Sequence, residues 1–242
     1  MPPGPRADAT VPPQRQPPRQ PPRQPPRASL TPRSFFDRPV LDVAPALLGH
    51  VIEHETTAGL VAVLITEVEA YAGEVDPASH AYRGLTRRNA VMFGPPGHAY
   101  VYFTYGMHFC ANLVCQDEGT AAAVLLRAGR VLSGVPIARA RRAAAAGTGD
   151  RYLASGPARL CQALGIDRAL DGADVCDPAS PLRVRQGETV SPGVIRSGPR
   201  TGIRAAAEVP WRFWVAAEPT VSPYRAHAPR SAAGRGTAST PR

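Results

Sequence analysis

The sequence predicts an α+β fold, a single mixed domain built on a mostly antiparallel sheet and carried between two disordered tails. Three observations point there. Short β-branched and aromatic runs recur through the middle of the chain. Only a few stretches have helical spacing bounded by stop signals. The two ends are instead rich in proline, arginine and small polar residues.

Taken in order, residues 1–30 are Pro/Arg/Gln-rich, with PPRQPPRQPPR at 17–27. Such a segment cannot bury apolar area and is expected to be a disordered basic arm with a polyproline bias. The folded unit is expected over 31–224. Residues 34–50 read as a turn and a short helix with an apolar core at Ala44–Leu48. VIEHET and LVAVLITEVEAY form two strands split by a turn at Gly59. Residues 73–98 are loop-rich. Residues 99–115 return to strand, interrupted at Tyr105–Gly106, which reads as a turn tip. AAAVLLRA at 121–128 is another strand, and 131–146 look helical. SGPARLCQALGI at 155–166 reads as a short helix with a Ser155 cap, Pro157 near its start and a stop at Gly165. RVRQGE and WRFWVA are late strands, and 225–242 form a second disordered tail.

Composition narrows the function. No run approaches 18 apolar residues, so no transmembrane helix is expected. No apolar stretch precedes the first folded-looking segment, so no secretory signal is expected either, and the cytoplasm is the expected compartment. The four cysteines contain no CxxC pair and fit no zinc-site spacing, so reduced, buried thiols and no metal are expected. The net charge of +9 suggests a polyanionic partner. The two ends carry that charge, however, because residues 34–224 hold 18 arginines against 18 acids. Nucleic-acid binding must therefore rest on a site rather than on bulk charge. All 28 basic residues are arginine. Without lysine, no side-chain imine can form.

Two stretches carry candidate chemistry. Within the strand at 60–71, the apolar Val61, Val63 and Ile65 are expected on one face and the polar Glu67, Glu69 and Tyr71 on the other. Asp76 and His80 follow within a loop that could fold over that strand end. A solvent-facing strand would show the same pattern, but a carboxylate beside His and Tyr also suits a general base with positioning groups. The second stretch holds Tyr100, Tyr102 and Tyr105 within six residues. An aromatic at a turn tip beside glycine suits base stacking or wedging better than core packing. Arg127 closes an apolar run and either exits to solvent or aims at a phosphate or carboxylate. Asn112 sits inside an apolar strand and must find partners.

These segments occur in the order TEVEAYAG, SHAYRG, TRRNAVMFGPPGHAYVYFTYGMHFCANLV, VLLRA, GPARLCQALGI, GPRTGI and PWRFWV. In that order they resemble the alkyladenine (3-methyladenine) DNA glycosylase family, from about Phe35 to Ser222. The resemblance implies a curved sheet with surrounding helices and a protruding β-hairpin. It implies Glu69 as the general base that activates water and Arg127 near that water and the target phosphate. Tyr71, His80 and Tyr102 would hold the flipped base, and Asn112 would discriminate against guanine's amine. Tyr105 would intercalate into the gap, with Met107 as a minor-groove contact. His108 departs from the family pattern, where tyrosine stands, and a two-residue extension lies around Asp117–Thr120.

The implied reaction is excision of damaged purines (3-methyladenine, 7-methylguanine, hypoxanthine, ethenoadenine) from double-stranded DNA by plain hydrolysis. No cofactor, metal, membrane or obligate protein partner is expected, and the enzyme would act as a nucleoid-associated monomer. Two other readings stand beside it: a non-catalytic damaged-DNA-binding module, which would leave Glu69 with His80 unexplained, and a small-molecule enzyme on the same fold, which would leave the YGM tip unexplained.

Overall fold

The computed structural model describes residues 28–104, 106–145 and 147–227. The polar arm at 1–27, the tail at 228–242 and Tyr105 lie outside the described residues. Ala28–Leu30, placed in the arm by the sequence reading, already bond to the fold. Leu30 bridges Arg185, Gln186 N–H donates to Ser29 O, and Arg185 donates to Ala28 O.

The described chain is α+β. Eight strands form one antiparallel sheet: β1 (Val51–Thr56), β2 (Gly59–Ala72), β3 (Ala99–Thr104), β4 (His108–Cys115), β5 (Ala122–Ser133), β6 (Leu182–Arg185), β7 (Ile195–Gly198) and β8 (Arg212–Val215). They run in the order β3-β4-β5-β2-β1-β6, while β8 pairs with β2 and with β7. The helices are short: α1 (Arg33–Phe36), α2 (Val40–Ala46), α3 (Val135–Arg141) and α4 (Pro157–Leu164). The long β2 organises everything. Its first half pairs with β1, its residues 67–69 pair with β8 on the same edge, and β5 runs along the other edge.

One sheet face builds the core. Val61, Val63, Ile65, Val68 and Ala70 of β2 pack with Val124 and Leu126 of β5 and with Leu160 and Leu164 of α4, all essentially without solvent exposure. Removing that apolar area from water is the main favourable term for the fold. Strict alternation would leave residues 61, 63, 65, 67, 69 and 71 on a single face. A pair of bulges prevents this. Ile65 pairs with Gly129 and Glu67 with Ala128, which leaves Thr66 as an extra residue in β2. Glu67 pairs with Ala128 and Val68 with Leu126, which leaves Arg127 as an extra residue in β5. Each extra residue flips the alternation beyond it. The core side of β2 thus changes from odd to even positions, and Glu67, Glu69 and Tyr71 turn to the opposite face.

Some element limits differ from expectation. β5 continues to Ser133, so only 135–141 of the expected helix is helical. Gly134 at φ 74° makes the corner, where a Cβ would sit 2.3 Å from Leu60 O. Ser155 does not cap α4. Gly156 occupies the cap position, no side chain caps it, and Ser155 bridges Ala128 in an extended conformation. β7 was not foreseen. Its sequence IRSG has no apolar alternation, and it forms by pairing with β8. Among the described residues, no helix is long and apolar enough to cross a membrane.

Candidate active site

The face opposite the core holds a row of side chains running across five strands. Tyr100 pairs with Asn112, Asn112 with Leu125, Leu125 with Glu69, and Glu69 with Arg212. Register alone therefore brings residues separated by more than a hundred positions into one line. Tyr100, Asn112, Leu125 and Glu69 of this row line a cavity of about 240 Å³, together with Tyr71, His80, Tyr102, Cys110, Arg127 and Thr201.

Glu69 is fully buried. Its Oε2 accepts the Tyr71 phenolic O–H at 2.8 Å, and its Oε1 accepts the Thr201 backbone N–H at 2.7 Å. Arg127 Nη1 lies 3.1 Å from the same Oε1. An ionised carboxylate offers about four acceptor positions. Hydrogen bonds from Tyr71 and Thr201 fill two of them, the Arg127 guanidinium is ion-paired beside Oε1, and Glu69 is among the residues that line the cavity.

Arg127 owes its aim to the bulge it creates. Its Nε donates to Glu67 Oε1 at 2.9 Å, and its Nη2 donates to Ser222 Oγ at 3.3 Å. Burial alone would lower its pKa, but the Glu69 and Glu67 carboxylates outweigh burial and raise it. Glu67 is the anchor beneath. Its Oε1 also accepts Arg212 Nε at 2.6 Å and Ser222 Oγ at 2.9 Å, and its Oε2 accepts Ser222 N–H at 2.6 Å. Burial would raise its carboxyl, but Arg127, Arg212 and Ser222 hold it below the usual range. A buried carboxylate with this many donors is satisfied, and its role is to hold two arginines in place.

The aromatic wall is equally ordered. Tyr100 and Tyr102, two apart on β3, stack with centroids 5.5 Å apart. His80 meets Tyr102 edge-on at 4.5 Å, and its Nδ1 lies 3.2 Å from the Tyr100 hydroxyl. Burial, then the nearby Arg88, lowers the His80 pKa, which favours the neutral ring. Burial, then Glu69, pushes Tyr71 well above the ordinary phenol range. Tyr102 is raised as well, chiefly by burial and then by Cys110. Both phenols are therefore neutral donors. Asn112, 5% exposed, donates Nδ2–H to Tyr100 O at 3.3 Å.

The structure thus brings Glu69, Arg127, Tyr71, His80, Tyr102 and Asn112 around one cavity. Met107 does not line it. It sits at the β3–β4 turn and is 65% exposed. Tyr105 lies outside the described residues. Sequence reasoning missed four groups. Thr201 bonds Glu69 through its backbone, which no side-chain pattern announces. Ser222 and Arg212 serve Glu67 across 155 and 145 positions. Arg200, wholly buried, forms a bidentate pair with Asp76 at 2.5 and 2.9 Å. Its place in the segment GPRTGI says nothing of its burial or of its partner Asp76, 124 positions away. Among the described residues, no cluster of three His, Cys, Asp or Glu side chains could hold a metal ion.

The family model for methylpurine-DNA glycosylase matches residues 34–219. A Streptomyces avermitilis protein named "Putative 3-methyladenine DNA glycosylase" is 60% identical over 200 residues, covering 82% of this chain and 93% of its own. Proteins with the same name from Leifsonia xyli and Frankia casuarinae are 52% and 51% identical, covering 81% and 78% of this chain and 92% and 90% of theirs.

Proposed function

The chain belongs to the methylpurine-DNA glycosylase family, and we propose that it excises damaged purines from duplex DNA by hydrolysing their N-glycosidic bonds. The observation that carries this reading is the buried Glu69, fixed by two hydrogen bonds and the Arg127 ion pair at the wall of an aromatic-lined cavity. A glycosidic bond inside a stacked duplex is unreachable, so the nucleotide must be extruded at a cost of a few kcal/mol. Tyr105 fills the vacated space, with Met107 beside it in the minor groove. The purine enters between Tyr71 and the His80–Tyr102 pair, with its edge against Asn112.

A water then attacks C1′. Its proton passes to Glu69, the O–C1′ bond forms, and the C1′–N bond breaks with its electron pair leaving on the purine. Arg127 holds Glu69 and the local phosphate. An N-alkylated purine such as 3-methyladenine or 7-methylguanine is already cationic, leaves as a neutral base, and is attracted to the aromatic faces while bound. Hypoxanthine and ethenoadenine are neutral and need a proton on the leaving base. The chain has no lysine, so no side-chain imine can cut the strand, and the product is an intact abasic site. It acts as a monomer, and the arginine-rich arm at 1–30 adds sequence-independent attraction to the DNA.

The test is incubation of duplexes bearing each of the four lesions. Release of the free purine, with the strand cut only after added alkali, is the expected result. Borohydride trapping of a covalent adduct would refute the hydrolytic route, and tight lesion binding without release would favour a non-catalytic damage-binding module.

A further inference from the structure

The Asp76–Arg200 pair is not among the groups that act on the bond, yet it backs Tyr71 and closes the loop that carries Ala78 and His80 to the cavity. Arg200 lies behind Tyr71, its guanidinium carbon 4.7 Å from the ring centroid, with Trp211 on a second side at 5.1 Å. Arg200 is fully buried and is not among the residues lining the cavity, whereas Tyr71 is. The tyrosine ring therefore has the cavity on one side and a permanent cation on another. Arg200 Nη1 also donates to Ala70 O at 2.9 Å, between Glu69 and Tyr71 on β2. Its neighbour Thr201 holds Glu69. Asp76 is wholly buried too, and it accepts the Ala72 and Ala78 N–H groups at 3.2 and 3.0 Å, closing the loop that delivers His80.

A bare cation against a π face draws on the same ring quadrupole that would attract a cationic base, and it repels that base directly. Asp76 cancels that charge through two hydrogen bonds. We infer that the Asp76–Arg200 pair is a charge-balancing and positioning device that sets the cavity's preference between cationic N-alkylated purines and neutral ones. The inference rests on the proposed base-excision reading and deepens it. Asp76→Asn keeps the shape and leaves Arg200 uncompensated behind Tyr71, so it disfavours cationic purines. Arg200→Gln leaves a buried anion and shifts the preference the other way. The double variant, neutral on both sides, returns toward wild type.

The experiment measures single-turnover release of 7-methylguanine and of hypoxanthine from otherwise identical duplexes. The expected result is a cationic-to-neutral rate ratio lowered about fivefold in Asp76→Asn, raised in Arg200→Gln, and restored in the double variant. A merely structural strut would lower both rates in parallel, leaving the ratio fixed in all three variants, and that result overturns the inference. If Asp76→Asn does not fold, the opposite shift in Arg200→Gln and its reversal in the double variant decide the matter alone. Failure of the wild type to release either base would instead overturn the base-excision reading.

Discussion

Tyr71 donates its phenolic O–H to Glu69 Oε2 at 2.8 Å, across one intervening residue of the same strand. The two side chains share a face because alternation has period two, and the bond helps to fix Glu69 at the cavity wall. Tyr71→Phe keeps the ring against Arg200 and removes only this donor. Base release is expected to fall roughly tenfold, the scale of one hydrogen bond to a charged group. The thermal midpoint should hardly move. Single-turnover rates with parallel melting curves check this, and an unchanged rate would remove Tyr71 from the support of Glu69.

The bulge at Thr66 decides which face Glu67, Glu69 and Tyr71 occupy. Its hydroxyl lies 2.8 Å from the Thr220 hydroxyl, which anchors the irregularity to the chain beyond β8. Deleting Thr66 would turn two carboxylates into the apolar face that Val68 and Ala70 now fill, at a cost far above the net stability of a domain this size. The deletion variant is expected to lack cooperative unfolding by circular dichroism. Thr66→Val, which keeps the residue count, should fold.

This bulge also marks how far the sequence could be read. The placement of β1 to β5, α2 and α4 followed from apolar runs and from glycine and proline punctuation, which are local signals. The change of face within β2 shows in the sequence only as the switch from Val61, Val63 and Ile65 to Glu67, Glu69 and Tyr71 at positions of one parity, and the bulges that produce it are set by the partner strand. The candidate site divides in the same way. Glu69, Tyr71, His80, Tyr102, Asn112 and Arg127 sit in motifs that could be recognised in order. Thr201 contributes a backbone N–H, Ser222 closes a contact over 155 positions, and Arg200 looks like any loop arginine. Those three are fixed by tertiary register, which composition and spacing do not carry. Ser155 failed as a cap because an extended bridge to Ala128 competed for it.

Glu67 gives a pH prediction. Despite burial, Arg127, Arg212 and Ser222 depress its folded pKa below the ordinary carboxyl value of 4.5. A depressed carboxylate contributes stability that is present above the unfolded value and is lost as pH falls through the folded one. Glu67→Gln removes that contribution and strands Arg127 and Arg212 without their anion. It is expected to cost roughly 3 kcal/mol at neutral pH. The penalty should shrink in acid below pH 4.5, where the wild type loses the same interaction. Urea unfolding at several pH values checks this, and a penalty independent of pH would contradict it.

The most direct test is Glu69→Gln. The amide keeps the size of the side chain and one hydrogen-bonding oxygen, but it cannot take a proton from water. Binding to a lesion-containing duplex should stay within a few-fold of wild type, while single-turnover release of the purine should fall at least a hundredfold, the usual worth of a positioned general base. Retained release at the wild-type rate would contradict the assignment of Glu69 and with it the placement of the chemistry in this cavity.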